Sequence, residues 1–145
     1  MRSNLILLVE DNPDEADLAI RAFQTGPQRP IVVLAGDGVE ALDYLLGMGT
    51  HAANPPALPD VVLLDLKLPR INGLEVLRRL RSDERTKDLP VVILTSSLCG
   101  EDLERGYALG ANSYVRKPVQ FTQFVETAKT LGTYWLTINE RVPRS

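Results

Sequence analysis

Short apolar segments rich in β-branched residues recur along the chain, and amphipathic stretches separate them. Four segments are clear and a fifth is fainter: Leu5–Val9, Ile31–Leu34, Val61–Leu64, Val91–Leu94 and Ser113–Arg116. Continuous apolar runs of this length are typical of strands that are covered on both faces, as in a parallel sheet. We therefore expect five buried strands.

The stretches between these segments carry apolar residues at helical spacing. The predicted helices lie at Pro13–Phe23, Val39–Leu46, Leu74–Leu80, Leu103–Leu109 and from Phe121 onward. Strand and helix patterns thus alternate five times, which predicts an α/β fold with a parallel sheet. In such sheets ligands bind at the carboxyl ends of the strands, so the residues after each strand are the first place to look for chemistry.

Composition removes several classes of function. A length of 145 residues suits one domain, and the mild acidity of 16 Lys and Arg against 19 Asp and Glu argues against a nucleic-acid-binding surface. The longest apolar run, Leu5–Val9, is too short for a membrane span or a secretory signal. One cysteine, Cys99, allows no intrachain disulfide, so we expect an inert thiol in a reducing, cytoplasmic setting. One histidine, His51, lies in the predicted surface loop 47–59.

Polar residues follow the predicted strands at one edge of the sheet. Glu10 and Asp11 follow the first strand, Asp65 the third and Lys117 the fifth, while Thr95 ends the fourth. Three carboxylates in one crevice repel one another, and a hard divalent cation such as Mg²⁺ removes that cost. A carboxylate nucleophile, a metal, an ammonium and a hydroxyl together indicate a phosphoryl-transfer site.

Each carboxylate also has a plain structural explanation. The segment Asp11-Asn12-Pro13-Asp14 is a good helix start, with a capping side chain and proline near the first position. Asp65 could cap a strand end, and Asp37-Gly38 suits a turn and cap before the second helix. The combination at one edge, rather than any single residue, favours the chemical interpretation.

Four motifs, in order along the chain, resemble those of receiver domains of two-component response regulators. They are Glu10-Asp11-Asn12, Asp65-Leu66-Lys67-Leu68-Pro69 with Gly73, Leu94-Thr95-Ser96-Ser97, and Tyr114-Val115-Arg116-Lys117-Pro118. The resemblance covers residues 4–132, and we divide the chain into a receiver domain at 1–132 and a C-terminal extension at 133–145. It implies a flavodoxin-like, doubly wound (βα)5 fold with a five-stranded parallel sheet of order 2-1-3-4-5.

The resemblance also implies roles for the residues at the strand ends. Asp65 would accept a phosphoryl group from the phosphohistidine of a partner sensor histidine kinase. Glu10, Asp11 and Asp65 would hold Mg²⁺ together with the backbone carbonyl of Lys67, and Lys117 would contact the phosphoryl group. The protein would catalyse its own phosphotransfer and dephosphorylation without being an enzyme toward a separate substrate.

Further implied features concern the conformational response. Thr95 and Tyr114 would form a switch pair, Pro69 and Gly73 would shape the loop after the phosphorylation site, and the Lys117–Pro118 bond would be cis.

Three other functions fit the sequence less well. An aspartyl phosphatase of the haloacid-dehalogenase type needs a second Asp two residues after the nucleophile, where this chain has Lys67. A flavodoxin-like cofactor binder needs a hydroxyl- and glycine-rich phosphate loop, where this chain has Asp11-Asn12-Pro13-Asp14. A receiver-like binding module that takes no phosphoryl group would have lost one of the functional residues, and none is missing.

The end of the chain suggests how the signal leaves the protein. The sequence stops soon after the fifth helix, so we expect output by protein contact, including a possible downstream phosphotransfer protein, and no nucleic acid or membrane partner.

Gly132 could end the helix, yet an apolar row continues at Leu131, Tyr134, Trp135 and Ile138. This row either folds back onto the core or pairs two subunits. The ending resembles regulators of bacterial phytochrome kinases, which implies a phytochrome-type kinase and a homodimer.

Overall fold

The computed structural model describes residues 4–143, in which strands and α-helices alternate. The strands are β1 (Leu5–Val9), β2 (Ile31–Ala35), β3 (Val61–Leu64), β4 (Val91–Thr95) and β5 (Ser113–Arg116). The helices are α1 (Pro13–Thr25), α2 (Gly38–Leu46), α3 (Gly73–Arg81), α4 (Gly100–Ala108) and α5 (Phe121–Thr133). None of the helices in this part of the chain is both long and apolar enough to cross a bilayer.

The strands form one parallel sheet of order β2-β1-β3-β4-β5, which confirms the predicted fold and strand order. Side chains alternate between its two faces, because successive residues of a strand point in opposite directions. In β1, Leu7 and Val9 pack with α2 and α3, whereas Ile6 and Leu8 pack with α1 and α5. Helices on both faces leave the central strands β1, β3 and β4 fully covered.

Strand β2 departs from the prediction that every strand is buried on both sides. Ile31 is 64% exposed and Leu34 is 44% exposed, while Val32 and Val33 are only partly covered. The reason is topological: β2 pairs only with β1 and lies at an edge of the sheet. Its apolar residues therefore face solvent along much of the strand.

Local capping explains where the helices begin. The Asn12 side chain accepts hydrogen bonds from the backbone N–H groups of Asp14 and Glu15, with Pro13 at the first helical position, as predicted. Asp37 accepts in the same way from the N–H of Glu40 at the start of α2, which confirms its predicted capping role. Each cap fixes the start of a helix shortly after the end of a strand, α1 after β1 and α2 after β2.

The helix α5 does not end at Gly132, because the chain continues through Thr133 into a π-helical turn, Tyr134–Ile138. This continuation keeps Leu131 and Trp135 on the side that packs against α1, where both are buried. Of the two alternatives left open by the sequence, Leu131 and Trp135 therefore follow the one in which the row folds back onto the core. Of the predicted apolar row, Tyr134 and Ile138 remain exposed, at 43% and 60%.

A buried ion pair fastens the C-terminal extension to the opposite end of the sheet from the predicted site. Asp60, immediately before β3, is fully buried and accepts a hydrogen bond from the Leu5 N–H at 3.2 Å. The Arg141 guanidinium, itself largely covered, pairs with the other oxygen of this carboxylate. The extension thus closes the amino-terminal edge of β1 and β3.

We expect Arg141→Met to lower the free energy of unfolding by about 3 kcal/mol, because it removes the guanidinium from a buried carboxylate. Urea unfolding followed by circular dichroism measures this loss. Arg21→Met is the matched control, since Arg21 pairs with Asp17 on the solvated surface of α1 and such pairs contribute little. Equal unfolding midpoints for the two variants would contradict the assigned importance of the Asp60–Arg141 pair.

Candidate functional site

The carboxyl ends of β1 and β3 bring three carboxylates together. Oxygen atoms of Glu10, Asp11 and Asp65 all lie within 4.8 Å of one another. The strand register explains this arrangement, since Val9 lies beside Leu64 and the residues that follow them leave the sheet side by side. Glu10 and Asp65 are buried, whereas Asp11 is exposed, so the cluster opens to solvent on one side.

A lysine from the far edge of the sheet reaches this cluster. The Lys117 ammonium donates to Asp65 Oδ2 at 3.0 Å, forms a short contact with Glu10 Oε1, and lies 3.0 Å from Glu15 Oε1. Its side chain is buried, and its backbone N–H donates to the Thr95 carbonyl at 2.8 Å. One cation therefore links residues that follow β1, β3 and β5.

The pKa values of Glu10 and Lys117 are both raised in the site, for different reasons. Burial raises the pKa of Glu10, and the hydrogen bond from Lys117 opposes this rise only in part. Burial by itself would lower the pKa of Lys117, but the hydrogen bond to Glu10 and the charge of Asp65 raise it above its ordinary value. Lys117 therefore stays cationic near neutral pH and holds the two buried carboxylates in place.

The donor set fits a hard divalent cation. Mg²⁺ prefers carboxylate, carbonyl and water oxygens and usually keeps several waters. Two buried carboxylates and one exposed carboxylate supply such ligands at an open edge of the sheet. The Lys67 N–H lies 3.4 Å from Asp65 Oδ1, which places the backbone of Lys67 next to the cluster.

The loop after β3 is packed tightly against the start of α3. Asp65 Oδ1 accepts from the Leu66 N–H at 2.7 Å, and the Gly73 N–H donates to the Leu66 carbonyl at 2.9 Å. A Cβ atom on Gly73 would lie 2.2 Å from the Asp65 backbone oxygen. In the same loop, the Pro69 carbonyl accepts from the Ile71 N–H at 2.8 Å. Gly73 is thus needed for the position of the Asp65 backbone.

Thr95 and Tyr114 lie on the neighbouring strands β4 and β5. Thr95 is buried, and its hydroxyl oxygen accepts from the Ser97 N–H at 3.3 Å. Ser97 in turn donates to Asp102 Oδ2 in the first turn of α4 at 2.7 Å. The Tyr114 hydroxyl is buried beside Ser97 but makes no hydrogen bond of ordinary geometry with any described residue, and burial raises its pKa.

Two smaller predictions can be compared with the structure directly. The Lys117–Pro118 bond is trans, so the expectation of a cis bond is wrong, and the chain adopts the isomer that X–Pro bonds generally prefer. Cys99 is an exposed free thiol directly before α4.

Two contacts of the site were not predicted from the sequence. The first is that of Glu15, in the first turn of α1, with Lys117. The sequence feature that could have indicated it is an acidic residue shortly after Glu10-Asp11. The Ser97–Asp102 hydrogen bond joins the end of β4 to α4 across five residues. A serine followed by an acidic residue near a helix start was its only signal in the sequence.

The family model for the response regulator receiver domain matches residues 6–129 of the chain. The chain belongs to this family. The match confirms the resemblance inferred from the four motifs and sets aside the phosphatase and flavodoxin-like cofactor-binder alternatives. Receiver domains of response regulators are signalling proteins and bind Mg²⁺ through acidic residues, which agrees with the cluster at β1 and β3.

Similar proteins include phytochrome-associated regulators. The chain is 42% identical over 132 residues to a probable methanogenesis regulatory protein, FilR2, of Methanothrix harundinacea, covering 91% of this chain and 83% of that protein. It is 34% identical to the phosphorylated cyanobacterial phytochrome response regulator RcpA, with a TM-score of 0.89 and coverage of 97% and 99%. It is 29% identical to the Mn²⁺-bound response regulator Rcp1, known from Synechocystis, with a TM-score of 0.88 and coverage of 96% and 99%.

We expect Gly73→Ala to lower the free energy of unfolding by about 1–3 kcal/mol, because the added methyl group collides with the Asp65 and Leu66 backbone. Gly100→Ala is the matched control, since Gly100 also begins a helix but a Cβ atom there meets nothing within 4 Å. The control should be neutral or stabilising. Thermal unfolding of the two receiver variants measures the difference, and an equal effect would rule out close packing at Gly73.

Proposed function

We propose that this receiver domain accepts a phosphoryl group on Asp65 from the phosphohistidine of a sensor histidine kinase, with Mg²⁺ held by Glu10, Asp11 and Asp65. The observation that carries the proposal is the Asp65 carboxylate, which lies at the carboxyl edge of the sheet between the Lys117 ammonium and two other carboxylates. The crystallised RcpA is phosphorylated and the crystallised Rcp1 holds Mn²⁺, which supports the same assignment here.

The residues divide the work of the transfer. A carboxylate oxygen of Asp65 forms a bond to phosphorus while the bond from phosphorus to the kinase histidine nitrogen breaks, and that nitrogen keeps the electron pair. Lys117 attracts a phosphoryl oxygen. Glu10, Asp11, Asp65 and the Lys67 carbonyl would hold Mg²⁺, which would supply positive charge to neutralise the phosphoryl oxygens. Later attack by water on phosphorus returns free phosphate and the Asp65 carboxylate, so the domain turns itself off.

We expect Asp65→Asn to abolish the phosphoryl adduct formed with acetyl phosphate and Mg²⁺, because an amide is a poor nucleophile. Intact-mass spectrometry measures the adduct. Asp37→Asn is the matched control: Asp37 also follows a strand at the same sheet edge, and Asn caps a helix equally well. An undiminished adduct in Asp65→Asn would contradict the assignment and favour a module that takes no phosphoryl group.

The metal assignment predicts that Asp11→Asn raises the Mg²⁺ concentration needed for phosphorylation by about tenfold or more, since one anionic ligand is lost. A Mg²⁺ titration of the phosphorylation rate measures this change. Asp14→Asn is the matched control: it removes an exposed carboxylate from the nearby first turn of α1, outside the cluster, and should behave like the wild type. Normal phosphorylation of Asp11→Asn at low Mg²⁺ would exclude Asp11 as a ligand.

Thr95 and Tyr114 are the proposed switch. A phosphoryl group adds about −1.5 to −2 charges and strong acceptor oxygens, toward which the Thr95 hydroxyl can turn from its contact with Ser97. A complete switch needs about 5.5 kcal/mol of differential binding, whereas one hydrogen bond to a charged group supplies about 1.5–3 kcal/mol. Lys117 and loop movement must therefore supply the rest.

We expect Thr95→Ala to be phosphorylated but to transmit the change to Tyr114 weakly. With fluorotyrosine incorporated, the ¹⁹F resonance of Tyr114 should shift on addition of beryllofluoride in the wild type and shift less in the variant. Ser96→Ala controls for the loss of an exposed hydroxyl in the neighbouring position. A full wild-type shift in Thr95→Ala would reject the coupling between the two residues.

The partner proposed for this site is a phytochrome-type histidine kinase. The similarity to RcpA and Rcp1 over nearly the whole of each chain supports this partner. We place the protein in the cytoplasm, with output by contact with another protein, such as a downstream phosphotransfer protein, and without nucleic acid or membrane binding. Phosphotransfer from a phytochrome-type kinase that outpaces transfer from an unrelated histidine kinase would establish the pairing.

A homodimer formed through α5 and the extension is the remaining proposal from the sequence. The exposed Tyr134 and Ile138 supply its contact surface. Leu131 and Trp135 act from inside the subunit, by holding the end of α5 against α1. Sedimentation of Ile138→Lys against the wild type measures this contact.

A further inference from the structure

The outer edge of the sheet at β2 has backbone groups that point away from the protein. The Ile31 N–H donates to the Asn4 carbonyl at 2.9 Å, and the Ala35 carbonyl accepts from the Glu10 N–H at 3.0 Å. Backbone groups alternate in direction along a strand, so Ile31, Val33 and Ala35 face β1. The N–H and C=O groups of Val32 and Leu34 therefore face outward.

The five residues of β2 themselves carry none of the features that usually protect an edge strand. Natural edges carry lysines, inward-pointing charges, bulges or prolines that prevent pairing with another chain. Strand β2 consists of five apolar residues with no charge and pairs regularly with β1 from Leu5 to Val9. A proline, Pro30, precedes the strand, while Ile31 and Leu34 lie exposed along it.

We propose that β2 pairs antiparallel with β2 of a second copy of this chain, with the two-fold axis at Val33. In that register Val32 of each copy lies opposite Leu34 of the other, and the outward N–H and C=O groups of these two residues bond to each other. The five-stranded sheets of two subunits then form one continuous sheet of ten strands.

The sequence around β2 is complementary to itself in this register. Ile31 of one copy lies opposite Ala35 of the other, so each exposed apolar residue meets an apolar residue. Arg29 precedes the strand and Asp37 follows it, so an antiparallel partner would bring opposite charges near each other at both ends of the pairing. Asp37 already lies 3.6 Å from Arg70, so Arg29 would approach a carboxylate that is oriented in advance.

The pairing is independent of phosphorylation at Asp65 and of the contact surface at Tyr134 and Ile138. Strand β2 is one edge of the sheet, and Asp65 follows the central strand β3. Asp65→Asn should therefore dimerise through β2 as well as the wild type does.

Cysteine cross-linking tests the register directly. In a Cys99→Ser background, Val33→Cys places two thiols in a directly opposed pair whose Cα atoms are about 4.5 Å apart, within disulfide reach. Val32→Cys is the matched control, because its thiols are offset along the strand. We expect disulfide-linked dimer to form about tenfold faster in Val33→Cys than in Val32→Cys. Equal rates, or no cross-link in either variant, would overturn the proposed pairing.

Sedimentation of full-length variants gives a second, independent readout. In an Ile138→Lys background, which removes the α5 contact, Leu34→Lys puts a charge on the exposed edge without altering the core and should shift the remaining dimer toward monomer. Ile138→Lys should leave the β2 contact in place and preserve the Val33→Cys cross-link. An Ile138→Lys chain that sediments as a monomer, or an Ile138→Lys, Leu34→Lys chain that dimerises as Ile138→Lys alone does, would refute the pairing.

Discussion

The contact of the Lys117 ammonium with Glu10 and Asp65 is the interaction on which the functional edge of the sheet depends. Two buried carboxylates that follow adjacent strands would repel each other, and burial already raises the pKa of Glu10. The ammonium comes from the end of β5, at the far edge of the sheet, so the site forms only when the whole strand order is in place. Fold and site are therefore coupled: an error in the register of β3 or β5 would separate the cation from its carboxylates.

The features that the sequence predicted well are those set by short-range patterns. The apolar runs identified all the strands of the described chain, and Asn12 and Asp37 cap the helices that their local sequences indicated. The cluster of Glu10, Asp11 and Asp65 followed from one topological rule, that parallel strands end at a common edge. The same rule placed Lys117 at the cluster without any knowledge of distances.

The features that were missed depend on which elements happen to be neighbours. An apolar run such as that of β2 looks the same in a central strand and at an edge, so the exposure of Ile31 and Leu34 was invisible in the sequence. Gly132 suggested a helix end, yet packing against Phe23 of α1 carries the helix past it. The pairing of Asp60 with Arg141 spans most of the chain, and no spacing rule connects two such residues.

The ion pair between Asp60 and Arg141 changes what kind of segment the C-terminal extension is. Trp135 fills part of the core, and Arg141 neutralises the Asp60 carboxylate directly before β3. The extension is therefore an integral part of the folded domain. Cutting the chain at residue 132 would leave a cavity beside α1 in place of Trp135 and would remove Arg141 from the buried carboxylate of Asp60. A shortened protein that failed to assemble would then report damaged folding, and the surface of the extension can be studied only by exchanging single exposed side chains.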